Sequence, residues 1–342
     1  MSAKGPRGPD EGALGALAVL RGLAQAPLLG ALGYQLRRRQ WDPRDLDLDL
    51  SDRVCLVTGA SSGIGLAVAR KLATQRATVV LVCRDAARGA AAVSEVTAAA
   101  GHGRVHLELA DLSCREAVRA LAARTADRFP RLHVLVNNVA ATFLERQLTP
   151  EGLERTFATN VLGGYHLTRL LLPRLLAAAP SRIVHVGSAV QYLHRLDVDA
   201  LVSPPQRYVG EIVYGHSKRA VAALNHLWVD QLEGTEVSST CGQPGLVATP
   251  GVAQTFPRYH RAIGRLLRDP DQGADTVVWL AASPEAARSS ADLWFDRERH
   301  PEHLFRWTRT EPDEPKRLWA RCAALCDLPE SLSTLVPATR SR

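Results

Sequence analysis

The chain contains six cysteines and no pattern among them. Cys55, Cys83, Cys114, Cys241, Cys322 and Cys326 show neither the spacing of a disulfide framework nor a Cys-x-x-Cys pair of metal type. A disulfide-stapled scaffold is therefore not expected, and no metal site is. Cys55 and Cys83 sit inside apolar runs, where a thiol serves as a small core residue. Reduced, structural thiols point to the cytoplasm or a membrane surface facing it. Also missing is a clean apolar run long enough to span a bilayer. The candidate, "GALGALAVLRGLAQAPLLGALGYQLRRRQW", is broken by Arg21, Gln25 and Pro27. A secretory signal puts its basic residues before the apolar stretch, and here the stronger cluster, Arg37, Arg38 and Arg39, follows it. The formal net charge is +7. No aromatic or motif support accompanies the basic clusters, so no nucleic-acid partner is expected. An anionic membrane or an anionic cofactor fits the same balance.

Hydrophobic residues make up 46% of the 342, which suits a globular chain. Residues 1–49 form an apolar and basic extension that ends in the acidic connector "DPRDLDLDLSDR". Residues 13–41 read either as an interfacial helix lying on a membrane or as a helix docked on the body of the protein. From Arg53 onward, apolar strands alternate with amphipathic helices. The strands are "RVCLVTG", "ATVVLVCR", "VHLELADL", "LHVLVNN", "RIVHVGSA" and "VSSTCGQPG". This alternation predicts an α/β fold over residues 50–300: one doubly wound parallel sheet with helices on both faces. Residues 301–342 form a Pro- and charge-rich tail with one amphipathic helix, carrying Leu318, Cys322 and Leu325 on one face.

"LVTGASSGIG" falls between the first strand and the first helix. Glycines there permit a tight turn and let a pyrophosphate approach backbone N–H groups at a helix N-terminus. Gly59, Ser61, Ser62, Gly63, Ile64 and Gly65 are the candidate phosphate-binding residues. The second strand ends "LVCRD". Arg84 is placed to hold the 2′-phosphate of NADP, for which a guanidinium fork is well suited. This favours NADP(H), while the neighbouring Asp85 keeps NAD(H) open. In "YGHSK", Tyr214 and Lys218 stand four residues apart and share a helical face. A phenol titrates near ~10, and a nearby ammonium favours its ionised form. The pair is expected to exchange a proton with a substrate oxygen while hydride moves to or from a nicotinamide.

"TGASSGIG", "ADL", "VNN", "TN" with Gly163, "VGSA", "YGHSK" and "QPGLVAT" occur in an order that resembles the short-chain dehydrogenase/reductase family, across roughly residues 50–295. The "CR" after the second strand, "LDVDAL" and the long gap before Tyr214 are similar to its retinol-dehydrogenase-like branch. The resemblance implies a Rossmann fold and roles for individual residues. Ser188 would bond the substrate oxygen, Tyr214 would be the acid/base, and Lys218 would lower its pKa and hold the nicotinamide ribose. Asn160 would support a water-linked proton path through its backbone. Asp111 and Leu112 would contact adenine, and Asn137 opens the family's "NNAG" motif. Pro244, Gly245 and Thr249 would line the turn beside the carboxamide. The chain departs from the family in "NNVA", in "VGSA" and in the 26 residues (214 − 188) from Ser188 to Tyr214. That gap is expected to form an extra loop over the substrate cleft.

The expected activity is NADP(H)-dependent oxidoreduction of a small, lipophilic carbonyl or alcohol substrate. The alternative is a non-catalytic, dinucleotide-binding scaffold or sensor of the same fold. The resemblance also allows a homo-oligomer, and residues 13–41 a peripheral membrane contact.

Overall fold

A computed structural model describes residues 27–202, 205–286 and 293–336. Their centre is an eight-stranded sheet in the order β3-β2-β1-β4-β5-β6-β7-β8. Before it come α1 (Ala31–Arg38), then β1 (Val54–Thr58), α2 (Gly63–Thr74), β2 (Thr78–Cys83), α3 (Ala86–Ala100), β3 (Val105–Leu109), α4 (Arg115–Arg128) and β4 (Val134–Asn137). A π-helical turn, Ala158–Leu162, leads into α5 (Gly163–Ala177). Next are β5 (Ser181–Val186), α6 (Gly210–Gln231), β6 (Val237–Gly242), α7 (Pro250–Thr255), α8 (Pro257–Ile263) and α9 (Pro270–Ala282). The hairpin β7 (Leu293–Phe295) and β8 (Glu298–His300) and the helix α10 (Glu314–Leu325) complete the order. All neighbouring pairs from β3 to β7 are parallel, and β8 alone is antiparallel.

The strands are apolar at successive positions because both faces of the sheet are covered. On one face Leu72, Val277 and Leu280 pack beneath Val57, Leu81 and Val184. On the other, Leu121, Leu171, Leu224 and Trp228 pack against Leu56, Leu135 and Ile183. The chain reverses its direction across the sheet between β1 and β4. Ligands of such sheets bind at this switch point, beyond the carboxyl ends of the strands.

All six strands expected from the sequence are present. The β7–β8 hairpin was not expected, and its turn places Asp296 and Arg297 at positive φ. Asp296 is buried and carries ion pairs to Arg268 and Arg37, which hold this turn without a glycine. In α10, Leu318 and Cys322 are buried as expected, and Leu325 packs at the margin of the same cluster. Trp319 meets Trp228 edge-on at 4.8 Å, fixing α10 on α6.

The segment between Ser188 and Tyr214 corrects the expected cleft loop. Leu196, Val198 and Leu201 are buried in the core under α6 and α10. Val198 N donates to Glu314 Oε2 of α10, and Asp199 pairs with Arg317. Three buried apolar side chains make the core the better place for this segment than an exposed loop. Its flanks, at Leu193 and Ile212, are exposed.

The described part of the extension is docked. Tyr34 is buried and its hydroxyl donates to Asp275 at 3.4 Å. Arg37 pairs with Asp296 at 2.7 Å, and Arg297 lies over the Trp41 ring. The outer side of α1 and of the stretch before it remains apolar, with Leu28, Leu32 and Leu36 between 51% and 64% exposed. Residues 13–26 lie outside the described residues. Among those described, no helix is long and apolar enough to cross a membrane.

Candidate active site

The glycine turn lies at the carboxyl end of β1. Gly59 and Gly63 have φ of +66° and +58°, values that L side chains rarely adopt. At Gly65 a Cβ would stand 2.4 Å from the Gly59 carbonyl oxygen, so that backbone contact requires glycine. Helix α2 begins at Gly63 with no side chain capping its N-terminus. Ser62 Oγ instead accepts a hydrogen bond from Arg88 at 2.9 Å. Ile64 is half-buried and faces the start of α9 at Gly273, while Ser61 stays partly open. These features fit an anionic ligand at the helix N-terminus. Arg84 is exposed directly after β2. Asp85 caps α3, its Oδ1 accepting from Arg88 N at 2.8 Å.

Asp111 follows β3 and accepts from Ser113 N and Oγ, which orders the turn into α4. The Leu112 carbonyl comes within 2.3 Å of where a Gly163 Cβ would be, so this glycine lets α5 approach that turn. At the end of β4, Asn137 Nδ2 donates to Thr168 Oγ1 at 2.9 Å. Asn138 donates to the Thr58 carbonyl at 2.8 Å, and Thr58 Oγ1 accepts from both Asn138 N and Val139 N. Neither Asn138 nor Thr58 was singled out in the sequence. Val139, where the family has alanine, packs 3.0 Å from the Cβ position of Gly59.

The four residues expected to act together do converge. Tyr214 and Lys218 lie on α6, and Ser188 stands two residues beyond the end of β5. Lys218 is buried, and its Nζ donates to the Val186 carbonyl at 2.8 Å. It stands 5.9 Å from the centre of the Tyr214 ring. Asn160 sits in the π-helical turn, a departure from α geometry often found at functional sites. Its side chain bonds both the N–H and carbonyl of Ala141 and the Ser217 hydroxyl, tying α5, the loop after β4 and α6 together. Burial pushes the Tyr214 phenol up, and the Ser188 hydrogen bond offsets this in part. The lowering by Lys218 expected from the motif does not prevail: the phenol is raised with the ammonium 5.9 Å from its ring centre. The ammonium is itself held down, to about 8, by burial.

The far wall is the turn after β6. Gly245 has φ +80°, and Pro244 precedes it. Thr249 caps α7 and lies 3.2 Å from the Cβ position of Gly63, so this turn reaches across to the glycine turn. Behind it runs the extension: Leu246 N donates to the Leu29 carbonyl at 2.9 Å. Arg268 bonds the carbonyls of Gly30 and Pro244 and pairs with Asp296. Nothing in the sequence pattern marked Arg268, Leu29 or Arg88.

The short chain dehydrogenase family model matches residues 53–260. The chain is 36% identical over 288 residues to Dehydrogenase/reductase SDR family member 12 of Bos taurus, covering 84% of this chain and 90% of that protein. It is 31% identical to Retinol dehydrogenase 12 of Mus musculus, covering 74% of this chain and 80% of that one. Among solved structures, an uncharacterised protein from Mycobacterium paratuberculosis superposes with a TM-score of 0.66 at 25% identity, covering 82% of this chain and 96% of that one. A glycine turn, a buried lysine beside a phenol, and these matches carry one conclusion: the chain belongs to the short-chain dehydrogenase/reductase family, in its retinol-dehydrogenase-like branch, and is an NAD(P)-dependent oxidoreductase of CH–OH or C=O groups.

Proposed function

We propose that this oxidoreductase uses NADP(H) and a lipophilic carbonyl or alcohol, with Tyr214 as its acid/base. The observation that carries this reading is the buried Lys218 ammonium 5.9 Å from the Tyr214 ring centre, at the same carboxyl end of the sheet as the uncapped α2 N-terminus. The bound nucleotide would supply or accept hydride at its nicotinamide. In the reducing direction, Ser188 holds the carbonyl oxygen and Tyr214 gives it a proton as hydride reaches the carbon. The phenolate left behind is stabilised by Lys218 and reprotonated along the path braced by Asn160. In the oxidising direction the same groups act in reverse.

Gly59, Gly63 and Gly65 let the pyrophosphate approach backbone N–H groups, with Ser61, Ser62 and Ile64 around it. Asp111, Leu112 and Asn137 bound the adenosine side, and Pro244, Gly245 and Thr249 the nicotinamide side. Arg84 reads the 2′-phosphate, helped by Arg88, which stands over Ser62.

The lipophilic substrate is supported by apolar side chains left exposed after β4, after β5 and at the start of α6. Leu144 Cα lies 2.8 Å from the Cβ position of Gly210, close to Ile212 at the start of α6. Leu144, Leu193 and Ile212 are each more than a third exposed. A membrane source for such a substrate fits α1: its leucine row is exposed, and no acidic residue occurs between Gly12 and Trp41. This reading puts the site at the cytosolic face of a membrane. Oxidation of NADPH followed with long-chain aldehydes, ketones and quinones tests the reading. Turnover with none of them, or equal use of NADH, would overturn it.

A further inference from the structure

His185 is a buried histidine that the chemistry above does not use. It lies on β5, three residues before Ser188, opposite Asn137 of β4 in register. The side chain is 5% exposed, and its Nε2 has no hydrogen-bond partner. Asn137 Oδ1 is also buried and without a partner. Both residues line a small cavity of about 20 Å³ between the sheet and helices α5 and α6, whose wall also includes Asn160 and Lys218. A cavity needs about 10–15 Å³ and two or more polar partners to hold one water.

We infer that His185 is a positioning residue for Lys218: together with Asn137 it holds one water in this cavity, and that water accepts a hydrogen bond from the Lys218 ammonium. The inference rests on Lys218 being the cation that serves nucleotide and phenol. Hydrogen-bond bookkeeping fixes the orientation. Thr168 Oγ1 gives its hydrogen to the Gly164 carbonyl at 2.7 Å, so it accepts from Asn137 Nδ2. Asn137 Oδ1 is then an acceptor facing the cavity. His185 Nδ1 lies 3.5 Å from the same Nδ2, which makes it the accepting nitrogen and leaves Nε2–H to donate. A water receiving Nε2–H and giving a hydrogen to Oδ1 has one lone pair left, and Lys218 has N–H groups beyond the one spent on Val186.

The charge arrangement agrees. Burial, and then the Lys218 charge, hold His185 down at about 4, so it is neutral when Lys218 is protonated. The other titratable groups around Lys218 are neutral too. Cys241 of β6 is pushed up to about 12 by burial, and the Tyr214 phenol of α6 is also raised. Arg219, next in sequence, is turned away to Glu302, His303 and Thr310. With no carboxylate there among the described residues, a water lone pair is what offsets the burial of the ammonium.

The chain has four lysines, Lys4, Lys71, Lys218 and Lys316, so lysine labelled with carbon-13 at Cε gives a resolvable set of NMR signals in the nucleotide-free protein. Lys218→Arg assigns the signal of interest. His185→Leu fills the cavity and removes the donor. It is expected to lower the Lys218 midpoint by about one pH unit, because an ammonium loses a charge-assisted acceptor. His185→Gln keeps an N–H that can reach the water and is expected to restore most of that shift. His185→Val, well suited to a strand, replaces the leucine variant if that one does not fold. Unmoved Lys71 and Lys316 midpoints confirm that the change is local. A Lys218 midpoint equal to wild type in the apolar variants would overturn the inference, as would an equal drop in His185→Gln. A separate NADPH titration of the wild type reports on the functional reading: absence of binding sinks that reading and leaves the lysine titration interpretable.

Discussion

Tyr214→Phe removes one oxygen and keeps the ring, so packing around α6 should barely change. With Tyr214 as proton donor, turnover should fall by about 10²–10⁴-fold, the usual scale for a positioned acid/base. NADPH affinity should hold, because the ribose is assigned to Lys218 and the phosphates to the glycine turn. Steady-state rates with nucleotide titrations check both halves, and near wild-type turnover would move the proton source elsewhere. Arg84→Ala should weaken NADPH by roughly ten- to a hundred-fold and leave NADH nearly untouched, since a charge-assisted contact contributes about 1.5–3 kcal/mol. Equal losses for both nucleotides would remove Arg84 from the phosphate. At this scale the sequence was most legible where a residue type is chemically irreplaceable. Tyr214, Lys218, Ser188 and the glycines were all readable because chemistry or backbone conformation demands them. Arg88, Thr58 and Asn138 were not, because their importance lies in partners far away in sequence. The phenol's upward shift was missed for a related reason: motif spacing reveals the ammonium but not the burial that outweighs it.

Among elements, strands and helices that carry their own periodicity were readable, and those held by distant partners were not. The β7–β8 hairpin has three-residue strands and an Asp-Arg turn, too short and too unusual for a local signal. It depends on buried Asp296 meeting Arg268 and Arg37. The segment after Ser188 looked like a loop because its apolar residues, Leu196, Val198 and Leu201, follow no helical or strand period, yet each is buried. For α1 the sequence left two readings open, and the docked helix keeps an exposed leucine row compatible with both. Its removal should therefore have two separable effects. Deleting residues 1–45 takes away the Leu29 carbonyl that receives Leu246 N and the Gly30 carbonyl that receives Arg268. NADPH affinity should drop and the thermal midpoint should fall, while the central sheet survives. Replacing Leu28, Leu32 and Leu36 together with glutamate leaves those backbone contacts in place. This variant should keep NADPH affinity and lose flotation with vesicles containing phosphatidylserine, and high salt should weaken wild-type flotation only in part. Wild-type protein that fails to float would remove the membrane from the proposal.

For the whole molecule, burial of neutral imidazoles predicts how stability depends on pH. His133, His166 and His185 lie on β4's approach, on α5 and on β5, and each is at least 93% buried. Burial holds all three down at about 4, with nearby Arg53, Arg119 or Lys218 adding to the effect. An unfolded histidine titrates near ~6.5. Between those values the unfolded chain binds protons that the folded one refuses, so ∂ΔG/∂pH is positive there. Each depressed imidazole thus leaves stability intact above pH ~6.5 and withdraws it progressively as pH falls toward ~4, at up to about 1.4 kcal/mol per pH unit per proton. His226 works in the opposite sense, because its hydrogen bond to Glu302 raises it. Burial also holds down His106, His216, His300 and His303, so the depressed imidazoles outnumber the one raised, and the three strongest against that one already leave a net loss of roughly two protons' worth, or about 3 kcal/mol per pH unit at its steepest. Against the ~5–15 kcal/mol typical of folded proteins, such a slope would bring unfolding within reach near the bottom of this window. Urea midpoints measured from pH 7.5 to 4.5 should fall steadily below pH ~6.5, and unfolding at pH ~5.5 should take up protons, visible as a buffer-dependent heat. His166→Phe is apolar and of similar shape, so it should flatten the slope by about one proton. A flat midpoint across this range, or proton release on unfolding, would mean that these imidazoles are charged inside the folded protein.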